Sequence, residues 1–141
     1  MIVLDTNVLS ELMRPAPAAN VLEWLDNQDA GDLATTSITV AEVLFGLACL
    51  PSGQRKVRLQ TQATAMFNDD FADAILSFDA DAAMAYAALI ANSKAAGRTV
   101  SMADGQIAAI CASRKVTLAT RNTKDFQHLP IELINPWEPM R

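Results

Sequence analysis

Four acids stand where an α/β chain places its chemistry: Asp5, Glu42, Asp104 and Asp125. Asp5 directly follows the apolar run Ile2-Val3-Leu4, and Asp125 comes shortly after Thr120-Arg121-Asn122, where the chain leaves the β-branched run Val116–Thr120. Glu42 and Asp104 each read as first-turn residues of a helix. Ligands of open parallel sheets gather outside the carboxyl ends of the strands, so separations of 37, 62 and 21 residues are gaps that such a fold bridges. Two carboxylates ~4 Å apart repel by roughly 4 kcal/mol at an effective dielectric of 20. Three or four stay ionised together only if a cation joins them; otherwise their pKa values rise. With oxygen ligands and no neighbouring His or Cys, the expected ion is Mg²⁺ or Mn²⁺ rather than Zn²⁺. Such an ion holds a phosphate, acidifies water and steadies a leaving oxygen, which is the chemistry of phosphodiester hydrolysis. A plainer reading stands beside this one. Asp5 also suits a helix N-cap, Glu42 and Asp104 suit first-turn acids facing the macrodipole, and Asp125 suits a solvated surface.

The elements that must position these acids follow from hydrophobic periodicity. Ile2–Leu4 reads as a buried parallel strand, followed by a helix with Thr6 or Asn7 as caps and Val8, Leu9, Leu12 and Met13 on its apolar face. A loop at Arg14–Pro17 leads to a helix around Val21–Leu25. Leu33–Thr36 is a weak strand, and Ser37 or Thr39 caps a helix stopped by Pro51-Ser52-Gly53. Residues 54–68 form an amphipathic helix and 74–78 a strand. Asp79 caps an Ala-rich helix closed by Gly97, residues 103–113 form another helix, and 116–120 and 131–134 are strands. Alternating strands and helices predict a single α/β domain over 1–141, a three-layer α/β/α sandwich around a mostly parallel sheet of four to five strands.

Composition narrows the class. With 51% hydrophobic and 19% charged residues, 141 residues suffice for one core, and no apolar run approaches a membrane span. The opening Met-Ile-Val-Leu-Asp has no signal-peptide character, and Cys49 and Cys111 read as buried, reduced thiols, so a cytoplasmic protein is expected. The net charge is −5, and residues 1–50 alone carry −6. A protein that binds nucleic acid by bulk electrostatics is usually basic, so any such partner needs a local basic rim or cations bound to the acids. Arg121, Lys124, Arg98 and Arg14 are candidates for that rim, with solvated surface charge as the alternative. His128 has no ligand partner in the sequence and reads as a loop histidine.

These residues carry a resemblance. Met1–Glu11, Thr39-Val40-Ala41-Glu42-Val43 with Gly46, Met102–Ala109 and Ala119–Phe126 resemble, in order, four motifs of the PIN-domain ribonucleases of the VapC toxin class. Asn135-Pro136-Trp137 is similar to the ending of the FitB-like branch. Each motif alone is weak, whereas four in register across the chain are specific. The resemblance implies Mg²⁺- or Mn²⁺-dependent RNA cleavage by the toxin of a type II toxin–antitoxin pair. Asp5 and Asp104 would hold the metal, with Glu42 as ligand or water-orienting group and Thr6 and Thr120 as polar supports. Some relatives carry an acid where this chain has Asn122, so one metal is expected and Asp125 is the candidate substitute. The resemblance also implies a homodimer and an antitoxin covering the acidic cleft, with operator DNA bound only through that antitoxin.

Two other classes fit parts of the sequence. A catalytically silent binding module accommodates the amide at Asn122. A phosphotransfer domain with Asp5 as acceptor needs a second acid beside it, where the chain reads Asp5-Thr6-Asn7, and no Gly-rich phosphate loop is present.

Overall fold

The computed structural model describes residues 1–139. Its strands are β1 (Ile2–Leu4), β2 (Leu33–Thr36), β3 (Ile75–Leu76), β4 (Thr117–Ala119) and β5 (Leu133–Ile134). Its helices are α1 (Thr6–Leu12), α2 (Ala19–Asp26), α3 (Ser37–Ala48), α4 (Gln54–Ala65), α5 (Ala80–Ala95), α6 (Met102–Arg114) and the short α7 (Thr123–Phe126). Every strand pair is parallel, in the order β3-β2-β1-β4-β5, so the expected mostly parallel sheet is a wholly parallel one of five strands.

Side-chain alternation along the central strands divides the core into two halves. Val3 and Leu118 face one side and pack with α5, α6 and Phe126; Leu4 and Ala119 face the other and pack with α1–α4. Both faces being covered explains why these strands read as unbroken apolar runs. α5 and α6 approach closely because Gly105 has no side chain. A Cβ there would lie 2.8 Å from Ile90 Cδ1 and 2.9 Å from Tyr86 Cε2. That packing seats the first turn of α6, which carries Asp104.

Several local expectations change. α1 is capped by Asp5, whose Oδ1 accepts from Thr6 N at 2.8 Å, rather than by Thr6 or Asn7. α3 is capped by Thr36, because Thr36 has extended backbone and its Oγ1 accepts from Thr39 N. Glu42 therefore lies in the second turn of α3, where a macrodipole role has little force. The helix expected over 54–68 changes at Met66 into a wider π-type turn ending at Asp70, which buries Phe67. The strands expected over 74–78, 116–120 and 131–134 are shorter: β3 and β4 stop where the chain leaves toward α5 and α7, and β5 begins only at Leu133, where pairing with β4 starts. Cys111 is buried, and burial pushes its thiol up to about 12. Cys49 is exposed at the end of α3, contrary to expectation, because that helix turns its last residues to solvent.

Candidate active site

β1 and β4 are neighbours at the centre of the sheet. The chain runs outward from β1 through β2 to β3 on one side, and from β4 to β5 on the other. This is a reversal of winding, and it opens a crevice at the carboxyl ends of β1 and β4. The register Leu4↔Ala119 places the next residues, Asp5 and Thr120, across from each other in that crevice.

Asp5 is 3% exposed and fully engaged. Its Oδ2 accepts from Thr120 Oγ1 at 2.8 Å and from Asn7 Nδ2 at 3.2 Å. Asn7 Nδ2 also reaches Thr120 Oγ1, and Asn7 Oδ1 accepts the backbone N–H of Arg121 at 3.0 Å. One amide thus ties the start of α1 to the exit of β4. Sequence reasoning gave Asn7 only a capping role; its signal was the spacing two residues after Asp5. Thr120 Oγ1 further accepts from Asn122 N, which fixes the turn into α7. The Asn122 side chain itself is exposed and makes no hydrogen bond among the described residues.

The other three acids reach the same crevice from different elements. Thr6 Oγ1 donates to Glu42 Oε1 at 2.7 Å and lies 3.2 Å from Thr39 Oγ1, so α1 and α3 hold Glu42 between them. Asp104 N donates to Ser101 Oγ, the cap of α6. Burial raises the pKa of Asp5 despite the hydrogen bonds from Thr120 and Thr6, and the charges of Asp104 and Glu42 raise it further. Burial likewise raises Asp104, opposed by Ser101, with Asp125 and Glu42 adding repulsion. The four carboxylates therefore share one field. They do not form a closed cage: among the described residues, no three His, Cys, Asp or Glu side chains converge as a ready-made metal site. The donor set fits a hard divalent cation all the same. It is all oxygen, and burial with like charges leaves two carboxylates strained in a way that a cation relieves.

The four residues of the expected basic rim fall in four different settings. Arg121 stacks its guanidinium 5.1 Å from the Trp137 ring centroid, beside the crevice exit. Arg14 pairs with Glu11 at 3.2 Å, and Lys124 is exposed on α7 next to Asp125. Arg98 lies in the connection from α5 to α6 with no interaction with the acids. His128 lies in the turn after α7, its Nε2 buried without a hydrogen-bond partner.

A wholly parallel α/β/α sandwich with acids gathered at its switch point defines a class of acidic-crevice α/β proteins. Within it, the chain belongs to the PIN domain family, whose profile matches residues 2–132, and to the VapC/FitB branch of that family. It is 43% identical to VapC ribonuclease Y4jK of Sinorhizobium fredii over 139 residues, 99% of each chain. It is 39% identical to toxin FitB of Neisseria gonorrhoeae over 137 residues, 97% of this chain and 99% of the other. The solved structure of FitAB bound to an IR36 DNA fragment superposes with a TM-score of 0.93 at 38% identity, covering 100% of this chain and 99% of that one.

Proposed function

We propose that the chain, acting as one domain, is a cytoplasmic endoribonuclease toxin that hydrolyses RNA phosphodiester bonds with Mg²⁺ or Mn²⁺ held by Asp5, Asp104 and Glu42. The observation that carries this reading is Asp5: a carboxylate buried at the switch point, oriented by three donors, and facing two further acids that make its charge costly alone. A divalent cation bound there supplies positive charge to the scissile phosphate, acidifies water and steadies the leaving oxygen.

The chain's own groups supply orientation. Thr120 and Asn7 fix the direction of the Asp5 carboxylate. Glu42 is exposed and held through one oxygen by Thr6, which leaves its other oxygen free to help hold the cation or to orient a water attacking in line. Asp125, whose charge acts on Asp104, is the candidate substitute for the acid that Asn122 does not supply. Arg121, preset by Trp137, and Lys124 lie where a phosphate leaving the crevice needs neutralising. The test is cleavage of total RNA by purified protein with Mn²⁺ or Mg²⁺. Chelator stops it and added metal restores it; cleavage indifferent to chelator defeats the reading. A catalytically silent RNA- or protein-binding module is the second reading, favoured by the open arrangement of the acids, and it predicts no cleavage at all.

The assemblies named in the structural relatives supply the partners we propose: an antitoxin covering the acidic cleft, and operator DNA reached through it. A homodimer is proposed from exposed apolar side chains on neighbouring helices, Phe45 (71% exposed) and Val57 on one pair and Met84 and Met102 on another. Light scattering is expected to give twice the chain mass, and Phe45→Glu to shift it toward the monomer; a monomeric parent protein removes the dimer.

A further inference from the structure

A groove of about 620 Å³ runs away from the acidic crevice between α1, α3 and α4. It shares Thr6 and Glu42 with the crevice, so it is the continuation of the site rather than a separate cavity. Its α4 wall is a stripe at helical spacing: Arg55, Arg58, Leu59 and Gln62. Its α1 wall ends in Met13 and Arg14. Three arginines thus meet in one groove of a chain whose net charge is −5 and whose first fifty residues carry −6. Among the described residues, the only acid lining it is Glu42, at the crevice end.

The state of these arginines separates a binding surface from a structural one. Lys56, the neighbouring base on α4, is used by the fold: its Nζ donates to Ala48 O at 2.9 Å and closes the turn between α3 and α4. Arg55 and Arg58 are exposed and make no ion pair among the described residues. Folding therefore leaves their charge unspent. Beneath them, Met13, Val43 and Leu59 form an apolar floor.

We infer that this groove is the track for the single-stranded RNA flanking the scissile bond, with Arg55 and Arg58 on backbone phosphates and the floor under the bases. The inference rests on the ribonuclease reading above and names where its substrate lies. Unpaired cations beside an apolar strip match a strand whose phosphates and base faces alternate. Along the strand, polarity matches too: the scissile phosphate sits at the acid end, where a cation is required, and the flanking phosphates meet guanidinium groups that need no cation.

The test uses the whole chain carrying Asp5→Asn, so that RNA is bound and not cut, with a fluorescein-labelled single-stranded RNA of mixed sequence. Adding Arg55→Ala and Arg58→Ala together is expected to weaken binding by about tenfold or more. It is also expected to flatten the dependence of log affinity on log salt by about 0.7 per arginine removed. In the active chain the same pair raises KM with kcat nearly unchanged. Arg114→Ala, at the opposite end of α6, is the control and leaves both values alone. If RNA is cut but the double variant keeps parental KM and salt slope, the groove assignment falls while the ribonuclease reading stands. If the parent cuts no RNA, the ribonuclease reading falls first. Binding of polyglutamate, lost with the two arginines while RNA affinity is unchanged, assigns the groove to an acidic peptide and also overturns the inference.

Discussion

The two sides of the crevice are built differently. On the β1–β4 side, Asp5, Thr120, Asn7 and the Arg121 backbone form a closed hydrogen-bond network with Asp5 and Thr120 buried. On the α3–α6–α7 side, Glu42 and Asp125 are exposed, Asp104 is half-buried, and only Glu42 has a hydrogen-bonded carboxylate oxygen, held by Thr6. The first side is fixed before any ligand arrives. The second consists of like charges that repel one another and are not held by such a network. Rigid anchoring on one side and adjustable closure on the other let a site be oriented without being collapsed when empty.

The largest effect is expected at the anchor. Asp5→Asn should lower kcat for RNA by about 10²- to 10³-fold or more, since it removes the charge that the network is built to aim. Retention of parental cleavage by a folded Asp5→Asn protein would sink the comparison.

Asp104→Asn separates function from stability on the adjustable side. Its raised pKa means that the native state binds the proton more tightly than the unfolded chain does. Stability therefore falls as pH climbs from the ordinary aspartate value through the raised one, and the penalty is fully present above the raised value. Removing the charge should cut cleavage by about tenfold or more while leaving the melting temperature level or higher at pH 7. Mn²⁺ should raise the melting temperature of the parent and do so less in this variant. A clear drop in the variant's melting temperature would mean that the acid is structural.

Thr120→Val should act most weakly on rate and most clearly on pH. Its hydroxyl hydrogen bond lowers the Asp5 pKa, so losing it should move the acid limb of the pH–rate profile upward. Asp5 Oδ2 keeps the bond from Asn7, but the Asn122 N–H loses its acceptor, and the two lost hydrogen bonds should cost about 1–3 kcal/mol in denaturant unfolding. An unmoved acid limb would show that Thr120 packs without tuning Asp5.

Much of this arrangement is written locally. Ile2-Val3-Leu4-Asp5 has to be a buried strand ending in a polar residue, and Thr117-Leu118-Ala119-Thr120 repeats the pattern. Helix boundaries at Asp79 and Ser101 follow from side-chain caps, each a matter of four consecutive residues. The α3 cap lies one residue before Ser37 and three before Thr39, because Thr36 is both the last strand residue and the cap, and local pattern cannot assign one residue to two elements. Asn7 was missed for another reason: its partners, Thr120 and Arg121, lie more than a hundred residues away.

Residue types, their order and periodicity determined by themselves that this is a layered α/β chain with acids at strand exits and helix starts. Only the tertiary structure decided that β1 and β4 are neighbours, that Asn7 bridges them, and that Arg55 and Arg58 are left unpaired along a groove leading to Glu42. The physical reason is range. Caps and apolar stripes are settled within a few residues, whereas strand order, burial of a charge and the field between distant carboxylates exist only once both cores have closed around the sheet.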